Sequence, residues 1–146
     1  ADEVGIEKRI SEINGILKKV GIEVEFKYIN EFQKDIKNDI EIACHILNID
    51  DKGSLDNILK TIAKGKSEYA DCLKAWKECL EDKGESVSDT IFTKFWVNNY
   101  LRFDTCTKKE QKQSSKKCNF EKALEKDTWD FEHKSLKSLK FFLKMF

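Results

Sequence analysis

A chain of 146 residues with 37% charged and 11% aromatic side chains, six glycines and no proline suits a helical globular protein better than a disordered or all-β one. It is long enough to bury about 68–70% of its unfolded surface. Its 27 basic and 27 acidic residues cancel, so the molecule as a whole does not advertise a polyanionic partner, and no apolar run approaches the roughly 18–20 residues of a membrane span.

Charge is nevertheless unevenly placed. Residues 1–60 carry 9 basic and 13 acidic side chains, residues 61–104 carry 7 and 8, and residues 105–146 carry 11 and 6, so the balance runs −4, −1 and +5. The chain opens Ala1-Asp2-Glu3 without a methionine, as expected of a secreted protein whose leader has been removed.

In chain order, Ile6, Ile10, Ile13, Ile16, Leu17 and Val20 repeat at helical spacing and stop at Gly21, which predicts a first helix with a glycine C-terminus. Ile22, Val24, Phe26 and Tyr28 then alternate with charged residues, a period-two pattern read as an extended connector or a frayed helix start. Asn30 with Gln33 suggests a helix start, and Phe32, Ile36, Ile40, Ala43 and Leu47 form one stripe, which predicts a second long helix carrying Cys44 and His45. A turn over Asn48–Ser54, including Asp50 and Asp51, leads to a short helix with Leu55, Ile58, Leu59 and Ile62 that ends at Gly65.

Ser67 opens the next helix, with Tyr69, Cys72, Leu73, Trp76, Cys79 and Leu80 predicted to face inward and Lys83-Gly84 to close it. Ser86 or Ser88 caps a helix bearing Ile91, Phe92, Phe95, Trp96, Val97, Tyr100, Leu101 and Phe103. So little polar surface places that helix at the centre of a bundle. Thr107 to Lys117 is basic and low in complexity, hence a loop tethered at its ends by Cys106 and Cys118. A helix from Asn119 follows. Trp129 and Phe131 lead into a last helix with Leu136, Leu139, Phe142, Leu143 and Phe146 on one face and lysines elsewhere. The fold expected is all-α: one domain over residues 1–146, a bundle of about six to eight helices stapled by disulfides.

Five cysteines, Cys44, Cys72, Cys79, Cys106 and Cys118, suggest an oxidising compartment. On one helix Cys72 and Cys79 lie about 10.5 Å apart at roughly 1.5 Å per residue, beyond the roughly 7 Å that a disulfide spans. The expectation is that each reaches out to one of Cys44, Cys106 and Cys118; five reduced core cysteines are the alternative.

Little suggests catalysis. His45 and His133 stand in no zinc-type spacing with the cysteines. Cys44 and His45 are adjacent and point about 100° apart on a helix, poor geometry for a thiolate beside its base. There is no phosphate-binding glycine loop, nucleophile elbow or HExxH. No enzyme, metal or cofactor is therefore expected. Lys108, Lys109, Lys112, Lys116 and Lys117, with Lys137, Lys140 and Lys144 of the last helix, are the candidate binding surface, suited to a sulfated glycan, an anionic surface or an acidic protein. Trp76, Phe95 and Trp96 around a cavity would instead make a small-ligand carrier.

A small helical chain with several cysteines suggests the insect odorant-binding fold, but the six residues between Cys72 and Cys79 and the eleven between Cys106 and Cys118 depart from that family's spacing. The segments EKRISEINGILKKVGIEVEF, YADCLKAWKECL and FWVNNYLRFDTC resemble the albicin-type salivary proteins of anopheline mosquitoes, over nearly the whole chain. That resemblance implies an all-helical, disulfide-bonded, secreted salivary protein, related to the C-terminal domain of collagen-binding antiplatelet salivary proteins. It implies inhibition of the alternative pathway of complement by binding the assembled convertase and holding it in a non-productive state. The partners expected are thus host convertase proteins, met by a monomer, with no nucleic acid and no membrane insertion. A carrier of biogenic amines or lipids, and a collagen- or heparin-binding protein acting through the basic C-terminal third, are the alternatives.

Overall fold

The computed structural model describes residues 5–50, 53–113 and 118–146. They form two compact units, one of residues up to Ile58 together with Lys134–Phe146, the other Leu59–His133.

The first unit begins with α1, Ile6–Lys19. Gly21 ends it at φ 79°, donating to the Lys18 carbonyl at 3.2 Å while Ile22 donates to Leu17 at 3.0 Å. Both bonds need the left-handed backbone that glycine adopts without penalty. The chain then runs extended, as the alternation predicts, and Val24 and Phe26 are buried. Asn14 of α1 holds that segment with both ends of its amide, donating to the Phe26 carbonyl at 2.8 Å and accepting from its N–H at 2.9 Å. One side chain thereby does what a neighbouring strand would do.

The helix expected after Asn30 does not form. Residues 32–43 are an antiparallel hairpin of β1, Phe32–Asp35, and β2, Ile40–Ala43, with Phe32 opposite Ala43 and Asp35 opposite Ile40. Its turn is organised by Asp35, 1% exposed. The carboxylate accepts from the N–H groups of Lys37 at 3.0 Å and Asn38 at 3.1 Å, from the Asn38 side-chain amide at 2.7 Å, and across the unit from the Glu23 N–H at 3.1 Å. The Asn38 amide first, then these backbone donors, hold the Asp35 carboxyl below its ordinary range against the opposing effect of burial. Asp39 at φ 48° and Asn30 at φ 63° take the left-handed conformation that Asn and Asp tolerate best after glycine. A helix cannot pass through them.

Ile10, Val24, Phe26 and Cys44 form this unit's core, with Ile6, Ile13, Leu17, Ile22, Ile29, Ile42 and Ile46 packed around it. Ile16 and Val20, assigned to the inward stripe of α1, are exposed instead. His45 is held at Nδ1 by the Asn30 carbonyl oxygen at 2.7 Å, the Asn30 amide being oriented by donation to Ser138 Oγ at 2.9 Å, and its ring stacks on Phe142. Burial pushes the imidazole below its ordinary pKa. A last short helix over Lys137–Leu143 follows a 3₁₀ turn at Lys134–Leu136 and leaves Phe141, Leu143 and Phe146 exposed.

The division between units falls within α2, Leu55–Ile62. The second unit continues with α3, Glu68–Asp71, α4, Leu73–Glu81, and α5, Asp89–Asn99, which a wider turn of i to i+5 type over Tyr100–Asp104 prolongs. Short helices at Lys108–Gln111 (α6) and Phe120–Leu124 (α7) complete it; the final helix, Lys137–Leu143, is α8. Tyr100 is the centre. Its ring stacks on Trp96 at 5.2 Å and meets Trp129 edge-on at 5.0 Å, and its hydroxyl proton is shared between the carbonyls of Thr128 at 2.8 Å and Lys64 at 3.1 Å. The Trp129 indole donates to the Ala123 carbonyl at 2.8 Å, and Ala63 pairs with Trp129 as an isolated β-bridge.

Two expectations about the architecture are thus corrected. The fold is mixed, helices with a two-stranded sheet, because Asp35, Asn38 and Asp39 make a turn where the apolar spacing alone allows a helix. It is also not stapled through the α3–α4 segment. Among the described residues one disulfide joins Cys106 to Cys118, while Cys44 is a buried free thiol and Cys72 and Cys79 are exposed free thiols. Cys106 and Cys118 pair with each other in place of the bonds expected to Cys72 and Cys79, closing the segment whose ends they were expected to tether, and α6 occupies part of what the sequence suggests is loop.

Candidate functional site

Of the residues expected to point inward, Tyr69, Cys72, Trp76 and Cys79 lie at the surface, while Leu73 and Leu80 are half-buried. Ser67 sets this helix in place: its hydroxyl accepts from the Ala70 N–H at 2.8 Å and donates to Asp104 at 2.6 Å, and its own N–H donates to Asp71 at 3.2 Å. Asp71 in turn accepts from the Trp96 indole at 3.0 Å. Ala70 is thereby turned inward and fully buried, and Cys72 continues the helical path at φ −62°, ψ −20°. With Ala70 inside, Tyr69, Cys72, Trp76 and Cys79, spaced three and four apart, share the outer face.

Beside them runs the outer face of α5. Tyr69 stacks on Phe103 at 5.0 Å, and Trp76 on Phe95 at 5.5 Å. All four aromatics are exposed, as is Ile91. The inward side of the same helix pair is closed by a charged residue. Lys77 lies 5.3 Å from the Phe92 ring centroid, with Lys60 5.0 Å from it, and it bonds Asp89 at 2.7 Å. Its aliphatic stem covers apolar surface while the ammonium reaches a carboxylate. Asp89, mainly through its hydrogen bond and then through its charge, raises the Lys77 pKa. Two exposed aromatic stacks on paired helices present large rigid rings, which offer contact area at small entropic cost.

The lysines assigned to binding are divided between the units. Lys108, Lys109 and Lys112 lie on or just after α6 in the second unit and are exposed; Lys137, Lys140 and Lys144 lie on or just after α8 in the first. Lys116 and Lys117, like Asp51 of the predicted turn, lie outside the described residues. Trp76 and Phe95 stack at the surface while Trp96 is buried against Tyr100, so the three do not enclose a cavity together. Among the described residues no three His, Cys, Asp or Glu side chains gather as a metal site would require, and no helix is long and apolar enough to cross a membrane.

The α6 turn has one perturbed acid. Glu110 accepts from Lys126 at 2.8 Å and from both the Thr107 N–H at 2.8 Å and hydroxyl at 2.9 Å, a capping box. The Lys126 bond first, then the Thr107 bonds, hold its pKa down to about 2. A depressed carboxylate stabilises the fold fully above its unfolded value of 4.5 and loses that contribution as pH falls through about 2. Carboxyl titration by NMR is therefore expected to show Glu110 still ionised at pH values where ordinary glutamates are protonated. In Lys126→Ala its midpoint should move up toward 4.5; an unchanged midpoint would show that Lys126 is not the main cause.

A family model described as "Protein of unknown function (DUF3226)" matches the chain over residues 1–146. The chain belongs to the DUF3226 family. No curated protein and no solved structure matches it.

Proposed function

We propose that the protein is a secreted, non-catalytic binder of assembled proteins, and that its target is the alternative-pathway complement convertase, which it holds in a non-productive state. The observation that supports this reading is the placing of two of the segments that resemble albicin-type salivary proteins, YADCLKAWKECL and FWVNNYLRFDTC. They lie side by side as α3–α4 and α5, with the Tyr69–Phe103 and Trp76–Phe95 stacks exposed along them. An inhibitor that traps an assembled complex must bind the complex better than its parts, and paired rigid aromatics on helices are suited to anchor such contacts.

The test is lysis of rabbit erythrocytes in human serum under alternative-pathway conditions. Protection is expected at micromolar protein. Trp76→Ala/Phe95→Ala should need about 30-fold more protein for the same protection, the equivalent of about 2 kcal/mol at a binding hot spot, with the circular-dichroism spectrum unchanged. No protection by the parent protein would sink the proposal.

A further inference from the structure

The α3–α4 segment is complementary to itself when reversed. α3, Glu68–Asp71, and α4, Leu73–Glu81, join at Cys72, which keeps helical angles at φ −62°, ψ −20°, as Asp82 does at φ −61°, ψ −22°. The end is set by Gly84 at φ 80°, whose N–H donates to Glu81 while that of Glu85 donates to Leu80, both at 3.0 Å. At 3.6 residues per turn, Glu68, Cys72, Ala75, Cys79 and Lys83 fall within an arc of about 80°, with Trp76 at its edge. All six are exposed.

Antiparallel pairing about a two-fold axis midway between Ala75 and Trp76 places residue i opposite residue 151 − i of the other copy. Cys72 then faces Cys79, Glu68 faces Lys83, and small Ala75 faces large Trp76, each pairing occurring twice because the contact is isologous. Contacting helix axes lie about 8–10 Å apart and Cα atoms about 2.3 Å from each axis, so at axis separations of about 9–10 Å facing Cα atoms come within the roughly 4.4–6.8 Å that a disulfide spans. Within one chain Cys72 and Cys79 are too far apart along the helix to join.

We infer that α3–α4 is the seat of a covalent homodimer, two copies packed antiparallel and joined by two symmetry-related Cys72–Cys79 disulfides. The occupant of this face is a second copy of the chain, because on reversal Glu68 meets Lys83, Cys72 meets Cys79 and small Ala75 meets large Trp76. The inference does not rest on the complement reading, which uses Trp76 exposed as it is in the single chain and so belongs to the monomer, whereas the dimer covers that residue. A small-molecule disulfide such as oxidised glutathione supplies the oxidising equivalents. The Cys72 thiolate attacks it and releases one glutathione, and the Cys79 thiolate of the other copy then attacks the protein-bound sulfur and releases the second. For each bond two protein thiols are oxidised, one glutathione disulfide is reduced to two thiols, and the protons pass to the thiols released. Cys44 takes no part, being buried, with its thiol pKa pushed up by that burial.

The full chain, incubated with oxidised glutathione, is expected to run on a non-reducing gel at twice its 17.1 kDa mass and to return to monomer with reductant. Cys72→Ser and Cys79→Ser should each lose the covalent dimer, because each thiol then faces a serine, whereas an equimolar mixture of the two variants should regain it through one Cys72–Cys79 bond. Glu68→Lys should slow dimer formation several-fold, and Glu68→Lys/Lys83→Glu should restore the rate. Glutathione adducts on monomer alone would overturn the inference. So would dimer formation by either single variant, which requires Cys72–Cys72 or Cys79–Cys79 pairing.

Discussion

Trp129→Ala is expected to lower the stability of the Leu59–His133 unit by about 3–5 kcal/mol, the range for removing a large buried aromatic. Trp129 is 2% exposed, and it meets Tyr100 edge-on while its indole N–H satisfies the Ala123 carbonyl. The substitution therefore opens a cavity against Tyr100 and strands a buried acceptor, two costs that add. Against a total of about 5–15 kcal/mol for a small domain, the loss is large enough to unfold the unit at moderate urea. Trp96→Ala should follow it closely, since Trp96 is 7% exposed, stacks on Tyr100 and bonds Asp71. Trp76→Ala serves as the contrast. At 37% exposure it loses chiefly one aromatic stack, about 1 kcal/mol. Lys108→Ala/Lys109→Ala, on exposed positions, should stay within about 0.5 kcal/mol of the parent. Urea midpoints followed by circular dichroism check the ranking, and a Trp129→Ala midpoint equal to the parent's would refute the assignment of Tyr100 as the centre.

That ranking separates the parts of the fold that sequence pattern reveals from those it hides. α1 and its end at Gly21 are legible because a single helical stripe and a glycine at C′ agree, and Ser67, Ser88 and Asn119 are recognisable caps that accept the bonds expected of them. The hairpin is hidden because its residues satisfy two periods. Phe32, Ile36, Ile40, Ala43 and Leu47 fit a helix, while Ile40, Ile42, Cys44 and Ile46 alternate as in a strand. What decides between them is the turn at Asp35, Asn38 and Asp39. The local bonds to Lys37 and Asn38 are an Asx-type signal visible in sequence, but the Glu23 N–H that Asp35 also satisfies is a tertiary contact.

The aromatic face of α3–α4 is misassigned from sequence for a related reason. A helix with Tyr69, Cys72, Trp76 and Cys79 on one side and lysines on the other has an obvious apolar stripe, yet the core-facing side carries Ala70 and the stem of Lys77. Amphipathic pattern identifies an apolar face without saying whether the chain's own core or another protein covers it. The cysteine argument separates in the same way. Helix geometry correctly forbids a Cys72–Cys79 bond within the chain, but it does not follow that each finds a partner there.

Replacing the Cys106–Cys118 disulfide, in Cys106→Ser/Cys118→Ser, is expected to cost about 3 kcal/mol, from the loop-closure entropy of a 12-residue separation. The bond ties the end of the turn that prolongs α5, where the Thr105 hydroxyl donates to the Leu101 carbonyl at 2.6 Å, to the Asn119 cap that opens α7. α7 carries Ala123, the acceptor for the Trp129 indole, so the clamp holds in register two elements that meet at the aromatic centre. The α6 turn inside the closed loop has its own support in the Thr107–Glu110 box, the Lys126 ion pair and the Gln111 bond to the Cys106 carbonyl at 3.1 Å. If chain entropy dominates, the variant's urea midpoint falls while its native spectrum and Glu110 titration stay close to the parent's. The double variant is preferable to a reductant, which would also cleave any Cys72–Cys79 bond between copies. An unchanged midpoint would mean that the α6 contacts already restrict the unfolded loop enough to make the covalent bond thermodynamically redundant.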